Sequence, residues 1–199
     1  MNVLPKLAIK IIVGSTRQNR FGDKPAQWMY DIARKRSELD AEFLDLRDYP
    51  LPFFNEPASP AMAGGKYANE VVAKWAGKIQ TADGFIIVTP EYNHGYPAVL
   101  KNAMDYIYNE WNNKAIGFVS YGGVGGARSI EQLRQVAIEL QMAPIRNAVH
   151  IQAFWTLLDE NGNLKTGALD SLGDAAEKFL DQLIWWTRAL KAAREHGNT

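Results

Sequence analysis

The sequence predicts an α/β fold: a doubly wound, five-stranded parallel sheet in the order 2-1-3-4-5, with helices on both faces. Three observations predict it. Short apolar runs alternate along the chain with segments of helical period. The apolar runs are continuous rather than alternating with polar residues, which marks strands covered on both faces. The three most unusual loops follow the first, third and fourth strands, where a sheet of this order gathers its ligand.

The elements follow in order. Leu7 to Val13 reads as the first strand, and Lys24 to Arg36 as a helix with Pro25 near its start and Trp28, Met29 and Ile32 on one face. Ala41 to Leu46 is the second strand. Tyr67 to Thr81 is helical, with Val71, Val72, Trp75 and Ile79 at helical spacing. Phe85 to Thr89 is the third strand, and Pro97 to Tyr108 the next helix, with Leu100, Ala103, Met104 and Ile107 inward. Ala115 to Tyr121 and Ala148 to Phe154 are the last two strands, separated by a helix over Ala127 to Gln141. Leu169 to Arg194 closes the pattern as a long helix. The one long connection, Arg47 to Lys66, carries Pro50, Pro52, Pro57 and Pro60, as lids or interface arms often do.

Composition narrows the function. A chain of 199 residues suits one domain over residues 1–199. Lys plus Arg and Asp plus Glu number 22 each, and a net charge of zero argues against a nucleic-acid or anionic-membrane binder. No apolar run approaches a membrane span, and no leader is visible, so a cytoplasmic protein is expected. Cysteine is absent. That removes thiol nucleophiles, Cys-based zinc and iron–sulfur ligation, so a redox function needs a bound organic cofactor or metal. His94, His150 and His196 show no metal-ligand spacing.

The first unusual loop is Gly14-Ser15-Thr16-Arg17-Gln18-Asn19-Arg20-Phe21-Gly22. It offers two hydroxyls and two guanidinium groups ahead of a helix N-terminus, where free N–H groups and the helix dipole attract phosphate. Its spacing is neither that of a triphosphate P-loop nor that of a dinucleotide turn, which leaves a monophosphate cradle. The second, Pro90-Glu91-Tyr92-Asn93-His94-Gly95-Tyr96-Pro97, combines shape-fixing Pro and Gly with aromatics able to cover a flat ligand. The third, Ser120 to Gly126, has four glycines in its last five positions, so its backbone can approach a ligand closely. Together they describe a slot with a phosphate end and a planar-ring end.

At these residues the sequence resembles the NADPH-dependent FMN reductase family of flavodoxin-like proteins, which includes quinone, azo-dye and chromate reductases. Gly14-Ser15-Thr16-Arg17 is similar to its phosphate loop. Thr89-Pro90-Glu91-Tyr92-Asn93 with Pro97 and Leu100-Lys101-Asn102-Ala103-Asp105 is similar to its ring loop and following helix, and Ser120 to Gly126 to its glycine-rich third loop. The resemblance implies FMN as bound cofactor and NADPH or NADH as co-substrate. It implies that Ser15 and Arg17 hold the phosphate, with Asn19, Arg20, Phe21 and Gly22 completing that loop. Pro90, Glu91, Tyr92 and Asn93 then line the ring, and Ser120, Gly122 and Gly123 approach its pyrimidine edge. Arg20 stands where many relatives have a small hydroxyl residue. Two orientations stay open for it: toward the phosphate, or outward toward the nicotinamide nucleotide.

The chemistry so implied resides on flavin N5, with no catalytic side chain. Glu91 is either a proton donor or, as its place at a loop bend favours, a structural carboxylate. The expected function is electron transfer from a reduced nicotinamide to a small acceptor such as free flavin, a quinone, an azo dye or a metal oxyanion. The rival is a flavodoxin-type electron carrier, which the zero net charge disfavours because such carriers are acidic. Tyr106, Tyr108 and Trp111, and the adjacent Trp185 and Trp186, together with the resemblance, point to a homodimer or homotetramer.

Overall fold

The computed structural model describes residues 5–197. Five parallel strands form one sheet in the order β2-β1-β3-β4-β5: β1 (Leu7–Val13), β2 (Leu39–Asp45), β3 (Gly84–Pro90), β4 (Ala115–Gly122) and β5 (Ala143–Gln152). The helices are α1 (Asp23–Ala33), α2 (Glu70–Gln80), α3 (Ala98–Asp105), α4 (Ala127–Glu139) and α5 (Gly173–His196). This is the doubly wound order that the loop pattern predicts.

Strand geometry sorts the apolar side chains into two layers. Ile9, Ile11, Val13, Ile86 and Val88 face α1 and α5, where they pack with Met29, Phe179, Leu180 and Leu183. Ile12, Phe85, Ile87 and Phe118 face the other way, onto Trp75, Leu100, Met104, Trp111 and Leu133 of α2, α3, α4 and the segment after α3. The break that Lys10 makes in the first apolar run is absorbed by charge. Its ammonium pairs with Glu42 across the β1–β2 ladder, and Lys78 of α2 reaches the same carboxylate at 2.5 Å. At the centre of β4 a side chain on Gly117 would collide with the Phe179 ring, so glycine there lets α5 lie close on the sheet.

Several boundaries differ from those the sequence suggests. Helix α1 stops at Ala33, and Arg36 instead turns to Glu177 and Asp181 of α5, at 3.0 and 2.8 Å. Helix α2 begins only at Glu70, because the Asn69 side chain caps it, accepting from the Val71 N–H at 2.9 Å. Strand β5 starts at Ala143, five residues before the apolar run at Ala148. Pro144 and Arg146 disguise its beginning, which an edge strand tolerates, and a register shift opposite Ile116 and Phe118 absorbs the irregularity. A short 3-10 turn over Asp170–Leu172 precedes α5.

The proline-rich connection is partly fastened. Asn102 of α3 accepts from the Phe54 N–H at 2.9 Å and donates to the Pro52 carbonyl at 2.7 Å. Phe53 and Met62 stay more than four-fifths exposed on it. Tyr106 and Trp111 are buried in the core and offer no surface, whereas Trp185 and Trp186 are exposed on α5. Among the described residues, no helix is long and apolar enough to cross a membrane.

Candidate functional site

The loops after β1, β3 and β4 meet at the carboxyl edge of the sheet. Between them is a cleft of about 130 Å³, lined by Arg17, Arg20, Phe21, Pro90, Glu91, Tyr92, Tyr121 and Phe154. A larger cavity of about 230 Å³ lies under the proline-rich loop, but its wall is mostly apolar and it shares no residue with the three loops.

The first loop leaves β1 with the Gly14 N–H donating to the Val88 carbonyl at 2.8 Å. Ser15 is buried. Its hydroxyl lies 2.8 Å from the Tyr92 hydroxyl, which ties the first loop to the second, and it accepts from the Arg17 N–H at 3.3 Å. Beyond that contact, the N–H groups of Thr16 and of Gln18 to Phe21 donate to no acceptor among the described residues. The Arg17 side chain is exposed and has no carboxylate partner among them. Unpaired donors and a free cation around one loop, ahead of α1, are the groups that an anion cradle needs.

Arg20 takes neither of the two orientations the resemblance leaves open. Its side chain is fully buried and turned inward. It meets Asp45 at 2.9 and 2.5 Å and Asp23 at 2.7 and 2.5 Å, and donates to the Ser15 carbonyl. The physical reason is the carboxylate pair: a guanidinium with five donors finds acceptors beneath the loop and none outside it. Arg20 thus pins the cradle to the end of β2 and the start of α1. Burial by itself pushes the Asp45 carboxyl up, but hydrogen bonds from Arg20 and Arg47 outweigh it and hold Asp45 down at about 2. The folded value lies below the unfolded one, so this contribution is complete above about pH 4 and is lost as pH falls toward about 2. Asp45→Asn is therefore expected to flatten the fall in stability across that window by about 2 kcal/mol. Thermal midpoints at stepped acid pH read the difference, and parallel curves for the two proteins would refute it.

Phe21 closes the loop by packing on Tyr121 and Phe154, with ring centroids 5.2 and 4.7 Å away. Asn19 adopts a positive φ of 52°. Gly22 starts α1 so close to Tyr121 that a β-carbon there would lie 2.7 Å from its hydroxyl.

The second loop is a tight hairpin. Tyr92 and Gly95 exchange backbone bonds at 2.8 and 2.9 Å around Asn93 and His94, both with positive φ, as a two-residue primed turn requires. Pro90 ends β3, and the Glu91 N–H donates to the Tyr121 carbonyl at 3.0 Å. The Glu91 carboxylate is buried against α4. It accepts from the Arg128 N–H at 3.1 Å, and its other oxygen lies 2.8 Å from Arg128 Nε. That geometry favours the structural role over the proton donor.

The third loop turns on its glycines. Gly126, the residue before α4, has φ 76°, and a β-carbon there would come within 2.6 Å of Ser120 Cβ. Only glycine fits that turn. Ser120 does not face the slot: it is wholly buried, its hydroxyl donating to the Gly125 carbonyl at 2.5 Å with His150 Nδ1 at 3.2 Å. It shapes the loop from beneath. Gly122 packs against Glu91, where a β-carbon would sit 3.2 Å from Glu91 Cβ, and Gly123 faces Trp155. Tyr121 and Phe154 line the cleft and were missed from the sequence, as was Trp155, which stands beside Gly123. Applying the carboxyl-edge rule to strand five as well would have pointed to Phe154 and Trp155.

Comparison with known proteins places the chain in a family. The family profile of NADPH-dependent FMN reductases matches residues 7–156. An NAD(P)H-dependent FMN reductase of Schizosaccharomyces pombe is 42% identical over 151 residues, covering 75% of this chain and 74% of that protein. A 2-hydroxy-1,4-benzoquinone reductase of Burkholderia sp is 28% identical over 190 residues, covering 92% and 97%. Among solved structures, the flavoenzyme NAD(P)H:(acceptor) oxidoreductase FerB of Paracoccus denitrificans superimposes with a TM-score of 0.72 at 23% identity, covering 92% and 98%. The last likeness establishes the flavodoxin-like fold, and the first two findings establish kinship: the chain belongs to the NADPH-dependent FMN reductase family.

Proposed function

We propose that the chain binds FMN non-covalently across the three loops and passes electrons from NADPH or NADH to a small acceptor: free flavin, a quinone, an azo dye or a metal oxyanion. One observation carries the reading. The first loop holds a free cation and a row of unpaired N–H donors, and beside it the second and third loops leave the exposed hairpin tip and Gly123 open to a flat ring.

The residues divide the work. Arg17, the N–H groups of Asn19 to Phe21 and the Ser15 hydroxyl hold the phosphate, while the Gly22 N–H donates to the Tyr121 hydroxyl. Arg20 fixes the loop from below. Pro90 to Asn93 form one wall of the ring slot, and Gly122 and Gly123 the other, with Trp155 at its margin. When bound, the flavin supplies the two-electron redox chemistry, so the protein needs no side-chain acid or nucleophile. Exposed Trp185 and Trp186 support a homodimer or homotetramer, and zero net charge supports a protein without nucleic-acid or anionic-membrane partners.

Anaerobic mixing of the FMN-loaded protein with NADPH tests this. The visible flavin absorbance should bleach without any acceptor present. Steady-state rates over a grid of NADPH and a model quinone should then give parallel double-reciprocal lines, because one open slot makes the two substrates take turns. A flavin that NADPH bleaches only slowly, or only with acceptor present, overturns the reading and favours the electron carrier.

A further inference from the structure

The two walls of the ring slot come from different connections, and something must fix the gap between them. The 90–97 hairpin is poorly suited to do so alone. At its tip it has one pair of internal backbone bonds, between Tyr92 and Gly95, and two non-glycine residues of positive φ, a conformation that stores strain.

Helix α4 supplies the missing support, mainly through one residue. The Arg128 N–H donates to Glu91 Oε2 at 3.1 Å, and Arg128 Nε lies 2.8 Å from Glu91 Oε1. At the far end of the same guanidinium, Nη1 donates to His94 Nε2 at 2.5 Å. A guanidinium only donates, so the imidazole nitrogen is the acceptor of this contact. One turn further on, Gln132 Nε2 donates to the His94 carbonyl at 2.9 Å. Arg128 therefore grips the hairpin at its base and at its tip. It also stands two residues after Gly126, which ends the glycine-rich wall.

We propose that Arg128 is a positioning residue that clamps the 90–97 hairpin to the first turn of α4, so that both walls of the ring slot move as one body. The proposal rests on the flavin site proposed above and adds what sets its width. Arg128 touches neither phosphate nor ring. It acts through Glu91 and His94, by holding the Asn93 and His94 backbone where a planar ligand edge meets it. Without the clamp the hairpin opens locally while the sheet stays intact.

Amide hydrogen exchange on the flavin-free protein, followed by FMN dissociation kinetics, tests the clamp. In Arg128→Met, exchange across residues 91–96 should quicken about tenfold, the scale of one lost charge-assisted contact, with β3, β4 and the rest of α4 unchanged. FMN should leave about tenfold faster for the same reason. Arg128→Lys, which can keep the ion pair but not the fork between Glu91 and His94, should fall between. Gln132→Leu, which leaves Arg128 in place, should loosen only the tip. Unchanged exchange over 91–96 in Arg128→Met overturns the proposal. So does faster exchange spread evenly through α4 and β4, which would mark a general structural role. Failure of the wild type to bind FMN would overturn the site itself, while the exchange measurement would still decide whether the clamp exists.

Discussion

Arg20→Met is expected to destabilise the fold by about 3 kcal/mol, because it removes the cation from a buried charge cluster and leaves the carboxylates behind. The Arg20 side chain is fully buried, and Asp45 is only 14% exposed. Two terms oppose each other. Methionine fills much of the arginine's volume and removes its desolvation cost. Against that, Asp45 and Asp23 lose their inner partner, and the Ser15 carbonyl loses a donor. Arg47 still reaches Asp45 at 2.7 Å, which limits the loss to the low end of what breaking a buried pair costs. The second term wins because a half-buried carboxylate that has lost its inner partner costs more than a packed methionine gains. Urea unfolding should show a lower midpoint with an unchanged slope. Adding Asp45→Asn to Arg20→Met should recover part of the loss, since the stranded charge is gone. A change below about 1 kcal/mol for Arg20→Met would mean that the cluster is merely a solvated surface pair.

Arg17→Ala should do the reverse: leave stability alone and weaken FMN about thirtyfold, or about 2 kcal/mol. Arg17 is exposed and holds no carboxylate, so the fold loses nothing by its removal. Its charge is uncommitted, and an uncommitted guanidinium beside free backbone donors is what a phosphate dianion binds. Riboflavin, which has no phosphate, should bind the variant and the wild type alike. Undiminished FMN affinity in Arg17→Ala would reduce Arg17 to a solvated turn residue.

The contrast between these two arginines shows what was legible in the sequence. Strand order and the three loops could be read because periodicity and glycine placement are local signals. The loop after β1 stood out for the same reason, as a hydroxyl-and-arginine turn ahead of a helix N-terminus. The fate of Arg20 was not legible. It depends on Asp45, twenty-five positions away, and the two meet only because β1 pairs with β2 in the register that sets Val13 opposite Asp45. Ser120 misled for a related reason. Every residue of β4 is buried, so a hydroxyl at its end turns to the nearest carbonyl rather than outward. The place of Glu91 at a loop bend could be read, but Arg128, its partner thirty-seven positions away, could not. The strand start at Ala143 was hidden by Pro144, a residue that normally argues against a strand and is harmless on an edge.

The phosphate cradle is the feature on which the proposed flavin site depends, and a paired titration tests it most directly. FMN and riboflavin share the same ring and differ only in the phosphate, so quenching of flavin fluorescence by the wild-type protein isolates what the first loop contributes. The cradle requires FMN to bind at least about tenfold more tightly than riboflavin, with the gap closing in Arg17→Ala. Equal affinity of the wild type for the two flavins would contradict it.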